Sequence, residues 1–504
     1  MDADAAARQL TPGQRYLILF NTVLASSLYS TALLTTSTIL PQMQGAMSAT
    51  QDEIAWAMTF NILATAIVTP MTGWLTARYG SKYVMGFGML VFSLATMMCG
   101  LAQSLEMLVI WRILQGGSGA PIVPLSQTIL LNSFPREQQP MVLSIYGMAV
   151  GVAPVIGPVL GGYLAEAYSW RWAFHMLVPI GLIGFVGLMM TLKNDRQGRV
   201  QLDWTGFLAL TVAMSAIQLV LARGVRLDWF QSTEIIVECL IGALAFYVFV
   251  THCLTAEKPF LNLRLLKDRN YAVGLVLVTI YGMLNFTPMV LLPPLLQQYA
   301  GYPDALVGEV IGARGAGMTV GFLTAGLMSR IDPRIGMAVG FSIQTMTGLI
   351  MLTFDLNVPL WLLIVNSMVQ GFSVGVIWVP LSVIAFDTLR PEDRAEASAV
   401  FHLLRNIGSS FFISLSIAEI VRTTGANYQR MTEMITPYNP NLSTPWITGG
   451  WVFDTQAGLA KVAIEINRQA AMIGYLNAFV MYTAASGAAV VLIAVIRRKQ
   501  AVSA

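Results

Sequence analysis

An all-α membrane protein with fourteen transmembrane helices is the fold predicted for this chain, on three observations. Fourteen apolar stretches occupy nearly all of its 504 residues, each about as long as a helix crossing roughly 30 Å of hydrocarbon requires. Only 11% of residues are charged and 56% are hydrophobic, whereas a soluble chain carries about 25% charge. Basic residues gather in alternate gaps between the stretches.

The predicted spans are 15–38, 53–76, 83–101, 106–131, 139–164, 172–192, 204–222, 232–253, 270–296, 305–329, 335–354, 359–385, 395–422 and 471–496. Residues 1–14 are polar and lack a signal-peptide pattern, and no small-residue cleavage site follows the first span, which is therefore expected to be retained. The seventh and eighth spans are the weakest, with Glu234 and Glu238 in the first turns of the eighth. Residues 423–470 form an expected extracytoplasmic loop holding Pro437, Pro440, Pro445, Trp446 and Trp451.

Orientation follows from counting Lys and Arg. With a cytoplasmic N-terminus, 19 lie on the cytoplasmic side, 7 lie outside and Arg112, Arg314 and Arg405 fall within spans, accounting for all 29. The positive-inside rule then puts both termini in the cytoplasm, as an even number of spans requires.

A repeat joins the two halves. Thr72-Gly-Trp-Leu-Thr-Ala-Arg-Tyr-Gly-Ser-Lys82 ends the second span, and Ala325-Gly-Leu-Met-Ser-Arg-Ile-Asp-Pro-Arg334 ends the tenth in the same manner. The predicted organisation is a cytoplasmic tail (1–14), a six-helix bundle (15–192), a linker with two accessory helices (193–269), a second six-helix bundle (270–496, including the loop) and a cytoplasmic tail (497–504). Repeats of this kind underlie alternating-access transporters, whose substrate site lies between the halves.

Polar residues inside a membrane need partners, so they nominate sites. Arg112 with Gln115, and Arg314, Arg405, Glu309, Glu419 and Glu238, are candidates for coupling or gating, and Arg78 joins them from the loop after the second span. Each also has a structural reading: tying helices together for the arginines, interfacial solvation for the glutamates. In the fifth span, Gly151, Pro154, Gly157, Pro158, Gly161 and Gly162 point to close packing and a bent or loosened helix. Thr31, Thr35, Phe60, Asn61, Tyr281, Asn285, Phe286, Asn366, Gln370 and Trp378 are candidate walls of a large, weakly polar cavity, although hydroxyls also satisfy themselves on helix carbonyls. Cys99, Cys239 and Cys253 lie in or beside apolar segments and the three histidines are scattered, so no metal site, cofactor or disulfide framework is expected. Nothing points to nucleic acid; the expected partners are the lipid bilayer, amphipathic small molecules and protons.

These residues resemble the major facilitator superfamily, specifically its 14-helix drug:proton antiporter branch with the multidrug export permeases. Gly73 to Lys82 is similar to the loop motif after helix 2, Arg112-Ile-Leu-Gln-Gly116 to the helix-4 motif associated with proton coupling, and Gly151 to Gly162 to the helix-5 antiporter motif. Trp170-Arg-Trp-Ala-Phe-His-Met-Leu-Val-Pro-Ile-Gly181 is also similar to a run typical of the branch. The resemblance implies the major facilitator fold and proton-driven export of hydrophobic or amphipathic compounds from a bacterial inner membrane. In Gram-negative bacteria it also implies work with a periplasmic adaptor protein and an outer-membrane channel. Two departures matter. Ala77 stands where the loop motif usually has an Asp that helps latch the halves, and Ala32 stands near the usual first-helix Asp. The coupling site is therefore expected to differ from the usual antiporter's.

Export of one endogenous amphiphile, such as a lipid-like metabolite or a siderophore, is the main rival function; a membrane sensor or scaffold is a remoter one. No nucleophile–base pair or metal-ligand set suggests an enzyme, and no nucleotide-binding segment suggests ATP-driven transport.

Overall fold

A computed structural model describes residues 10–49, 51–194, 201–257, 259–328, 332–390, 392–436, 439 and 455–493. Trp446, Trp451, Pro437, Pro440 and Pro445 of the expected outer loop lie outside these residues.

Helix boundaries follow local chemistry. The first helix, α1 (Pro12–Thr38), starts at a capping box in which the Thr11 hydroxyl accepts from the Gln14 N–H, with Pro12 in the first turn where its missing N–H costs nothing. After it, α2 (Gln51–Val68) continues through a 3-10 turn at Thr69–Met71, containing Pro70, into Thr72–Tyr79. Gly80 stops it at φ +87°, a conformation that glycine adopts without steric penalty. Next, α3 spans Ser81–Gly100 and leads to α4, which runs as Leu105–Gly119 and Ile122–Ser133, broken at Pro121. By contrast, α5 (Gln139–Ala167) is unbroken through Pro154 and Pro158. The first set ends with α6 (Leu177–Thr191).

Two further helices, α7 (Trp204–Arg223) and α8 (Thr233–Thr255), pack side by side. Beyond them lie α9 (Arg269–Pro294, continued by a π turn at Leu295–Tyr299), α10 (Asp304–Met328), α11 (Pro333–Met351), α12 (Leu360–Asp387), α13 (Arg394–Glu433) and α14 (Gln456–Ile493). The last two extend beyond the spans 395–422 and 471–496, so part of the expected loop is helix. Those extensions carry polar residues such as Arg430, Glu433 and Lys461. A hydropathy pattern ends at such residues, whereas a helix does not.

Twelve helices among the described residues are long and apolar enough to cross a membrane. The two remaining expected spans correspond to α4, which Pro121 divides into shorter pieces, and α11. Exposed apolar side chains, among them Leu240, Leu244 and Tyr247 on α8, suit hydrocarbon as the surrounding solvent.

Close packing runs α1 to α5, α2 to α4 and α3 to α6 in the first set, and α9 to α13, α10 to α12 and α11 to α14 in the last. The two sets meet where α5 lies on α10 and where the second part of α4 lies on α13. From the side, α7 touches both α2 and α13.

Candidate functional site

The two helix sets enclose a cavity of about 410 Å³. Its polar and aromatic walls include Tyr29 and Ser30 of α1, Asn61 and Thr65 of α2, Arg112 of α4, Tyr146 of α5, Tyr281, Asn285 and Phe286 of α9, Trp378 of α12, and His402, Arg405 and Asn406 of α13. Met58, Ile62, Met289, Val290 and Ile413 are among its apolar walls. Gln218, Leu221 and Ala222 of α7 also line it, so the first accessory helix forms part of the wall.

One end of the cavity is closed by a ladder between α4 and α13. An Arg394 guanidinium nitrogen donates to the Leu131 carbonyl at 3.2 Å and to Asn132 Oδ1 at 3.0 Å. One turn on, the Ser398 hydroxyl donates to the Pro124 carbonyl at 3.0 Å. Another turn on, His402 Nε2 lies 2.6 Å from Gln127 Oε1, while His402 Nδ1 has no hydrogen-bond partner among the described residues. The i, i+4, i+8 spacing places these three side chains on one face of α13. Gly73 of the loop motif supports the same junction: a Cβ there would sit 3.2 Å from the Glu396 Cβ. This is the basic end of the molecule, flanked by Arg78, Lys82, Arg136, Arg334 and Arg390. From His402 the cavity runs toward Ser414, about 18 Å along α13 at the helical rise.

Flanking the cavity are two polar networks of related design. In the first, Arg112 is buried; its Nε donates to the Ala57 carbonyl at 3.1 Å and one terminal nitrogen donates to Gln115 Oε1. Gln115 Nε2 donates to the Thr96 hydroxyl at 2.7 Å, and Asn61 Nδ2 donates to the Arg112 carbonyl at 2.7 Å. In the second, buried Arg314 donates to Gln370 Oε1 and, at 2.8 Å, to the Asn285 carbonyl, while its Nε has no partner among the described residues. The Tyr482 hydroxyl and Gln344 extend this second network, the hydroxyl donating to Gln344 Oε1 and the Gln344 amide to the Gln370 carbonyl at 3.4 Å.

Each network rests on a Gln-Gly pair. A Cβ on Gly116 would overlap the Asn61 carbonyl oxygen, and one on Gly371 the Arg314 carbonyl oxygen. The internal repeat therefore reaches single residues: Gln115 corresponds to Gln370, Gly116 to Gly371 and Asn61 to Arg314. The arginines themselves do not correspond, because one sits on α4 and the other on α10.

Of the candidate wall residues, the structure brings Asn61, Tyr281, Asn285, Phe286 and Trp378 to the cavity, but not Thr31, Thr35, Phe60, Asn366 or Gln370. Thr31 donates to the Ser27 and Ala153 carbonyls at 2.8 and 3.2 Å, and Thr35 to the Thr31 carbonyl at 2.7 Å. Gln370 serves Arg314, and Asn366 is buried. Gly151 and Pro154 line the cavity, while Gly157, Gly161 and Gly162 face Thr31, Thr35 and Thr38 of α1.

None of the three candidate carboxylates lines the cavity. Glu238 pairs with Arg223 at 3.5 Å and Glu419 with Arg422 at 3.1 Å, while Glu309 is exposed. Arg78 lies at the basic end, stacked over Trp74 at 5.3 Å and Tyr79 at 5.6 Å. Sequence reasoning missed Tyr29, Tyr146, Gln218 and His402. The signal for His402 was its i, i+3, i+7 spacing with Arg405 and Ser409, all of which reach the cavity.

Comparison with known proteins agrees with this architecture. The family model of the Major Facilitator Superfamily matches residues 22–413. The chain is 30% identical over 456 residues to the multidrug export protein EmrB of Escherichia coli (strain K12), covering 85% of this chain and 87% of that protein. It is likewise 30% identical over 408 residues to the fatty acid resistance protein FarB of Neisseria gonorrhoeae, covering 80% of each. Its fold is similar to a solved structure of the proton:xylose symporter XylE, with TM-score 0.60, 10% identity and coverage of 93% of this chain and 95% of that one. The chain is thus a membrane transporter that belongs to the Major Facilitator Superfamily.

Proposed function

We propose that the protein is a secondary active exporter of hydrophobic or amphipathic organic compounds in a bacterial inner membrane, working by alternating access and proton antiport. The observation that carries this reading is the cavity: it lies between two helix sets, is walled by aromatic and apolar side chains with scattered polar groups, and is shut at one end by the α4–α13 ladder. Aromatic walls with few fixed hydrogen bonds accept molecules of varied shape, because apolar contact is not directional. The relatives named for multidrug export support the same substrate class.

The architecture in this reading is fourteen spans arranged as six, two and six, with both termini and the basic end in the cytoplasm. The closed ladder then faces the cytoplasm, and the cavity drains outward. In a Gram-negative envelope, a periplasmic adaptor protein and an outer-membrane channel would receive the exported compound. Glu238, Glu309 and Glu419 remain the candidates for proton carriage, acting from outside the cavity.

Proteoliposomes holding the purified protein test this reading. An imposed proton gradient is expected to drive uphill movement of amphiphiles, and an uncoupler to abolish it. Movement of one metabolite alone would favour the specific-exporter alternative, and no proton dependence would overturn antiport. Single replacements Glu238→Gln, Glu309→Gln and Glu419→Gln should include one that uncouples proton from amphiphile movement; coupling retained in all three removes these residues as carriers.

A further inference from the structure

Arg405 brings a formal positive charge to the cavity wall. Its guanidinium lies 5.5 Å over the Trp378 ring, and Nε and one terminal nitrogen contact Asn406 Oδ1 at 3.4 and 3.2 Å. Neither partner carries a formal charge, and no Asp or Glu is among the residues lining the cavity. Arg112, the other cationic wall residue, donates from Nε to the Ala57 carbonyl and from one terminal nitrogen to Gln115. Arginine keeps its charge at any ordinary pH, and a charge at membrane depth without a counter-charge is costly. Stacking on Trp378 and the neutral amide of Asn406 offset only part of that cost.

We infer that the cavity's preferred ligands are amphiphiles bearing one carboxylate, with Arg405 as the residue that selects for that group. This rests on the export reading above. A carboxylate fits a guanidinium through two parallel hydrogen bonds, so it both neutralises Arg405 and fixes the orientation of the molecule. The apolar body would then lie along Met58, Ile62, Met289 and Ile413, toward the end away from the ladder. Neutral amphiphiles share the apolar contacts but leave the arginine uncompensated. Amphiphilic amines add a second positive charge beside it and are disfavoured.

The test compares para-octylbenzoate with para-octylbenzamide, which share shape and hydrocarbon but differ in charge. Equilibrium binding is measured on the purified full chain in lipid nanodiscs at neutral pH. The benzoate is expected to bind on the order of ten- to a hundredfold more tightly, the range given by a charge-assisted hydrogen bond. Arg405→Gln should abolish that preference, bringing the ratio of benzoate to benzamide affinity to within about twofold of one. Arg405→Lys should keep a reduced preference, since it retains charge without the planar fork, and it serves as the check if the Gln variant fails to fold. Equal affinities in the wild type, a preference that survives in Arg405→Gln, or no binding of either compound to folded protein would each overturn the inference. Failure of the export reading looks different: benzoate preference would persist in binding, yet proteoliposomes would move no amphiphile of any charge.

Discussion

Gly116 and Gly371 show how one missing side chain sets the site. At each, the neighbouring helix brings its carbonyl to where a Cβ would stand, at Asn61 for the first and Arg314 for the second. That approach seats Gln115 and Gln370 beside their arginines. Gly371→Ala is therefore expected to push α10 off α12 and strip Arg314 of its partners, at a cost of about 1–3 kcal/mol for the overpacking alone. Gly117→Ala, whose Cβ would meet only Val68 at 3.5 Å, is expected to leave stability almost unchanged. Thermal unfolding of the two variants in detergent checks this; equal melting temperatures would refute it. Residue chemistry also explains what the sequence left hidden. Arg112, Arg405, Tyr281 and Trp378 stood out as polar or aromatic groups on apolar helices. Tyr29 and Tyr146 did not, because tyrosine is also at home in cores and at membrane interfaces.

Individual helices depart from hydropathy wherever backbone chemistry overrides it. Pro121 divides α4 although the apolar run continues, since a missing N–H leaves no trace in hydropathy. The accessory pair is tied into the rest of the fold at both ends. Ser414 of α13 donates to the Leu221 carbonyl of α7 at 2.7 Å, and α7 contributes to the cavity wall. Asp203 anchors this pair at the other end, accepting from the Gly206 N–H at 3.0 Å, the Phe260 N–H at 3.0 Å and His252 Nε2 at 2.9 Å. Burial alone would push the Asp203 carboxyl up, but these hydrogen bonds outweigh it and hold it below the ordinary 3.8. A depressed carboxylate stabilises the fold above its unfolded value and loses that contribution as pH falls through the folded one. Asp203→Asn is therefore expected to melt at a lower temperature than wild type at neutral pH, with the gap narrowing once pH drops below that ordinary value. A gap that stays constant with pH would contradict the assignment.

The whole molecule is built around an internal repeat that the sequence displayed only in its loops, at Thr72–Lys82 and Ala325–Arg334. Its deeper form, Gln-Gly against a close carbonyl on either side of the cavity, depends on which helices touch, and span lengths carry no information about that. The ladder was equally illegible. Arg394, Ser398 and His402 are ordinary residues until α4 is laid against α13. With Ala77 at the usual acidic latch position, this ladder and the exposed Arg136–Asp387 pair at 3.9 Å hold the basic end closed. Exposed pairs contribute little, so in the proposed alternating-access cycle the ladder would have to part together with the α5–α10 contact. The most direct measurement is therefore transport by a protein whose Cys99, Cys239 and Cys253 are replaced by Ser and which carries Gln127→Cys and Ser398→Cys, assayed before and after disulfide formation. Alternating access predicts that the cross-link stops amphiphile movement and that reduction restores it. Undiminished transport with the cross-link complete would contradict the account.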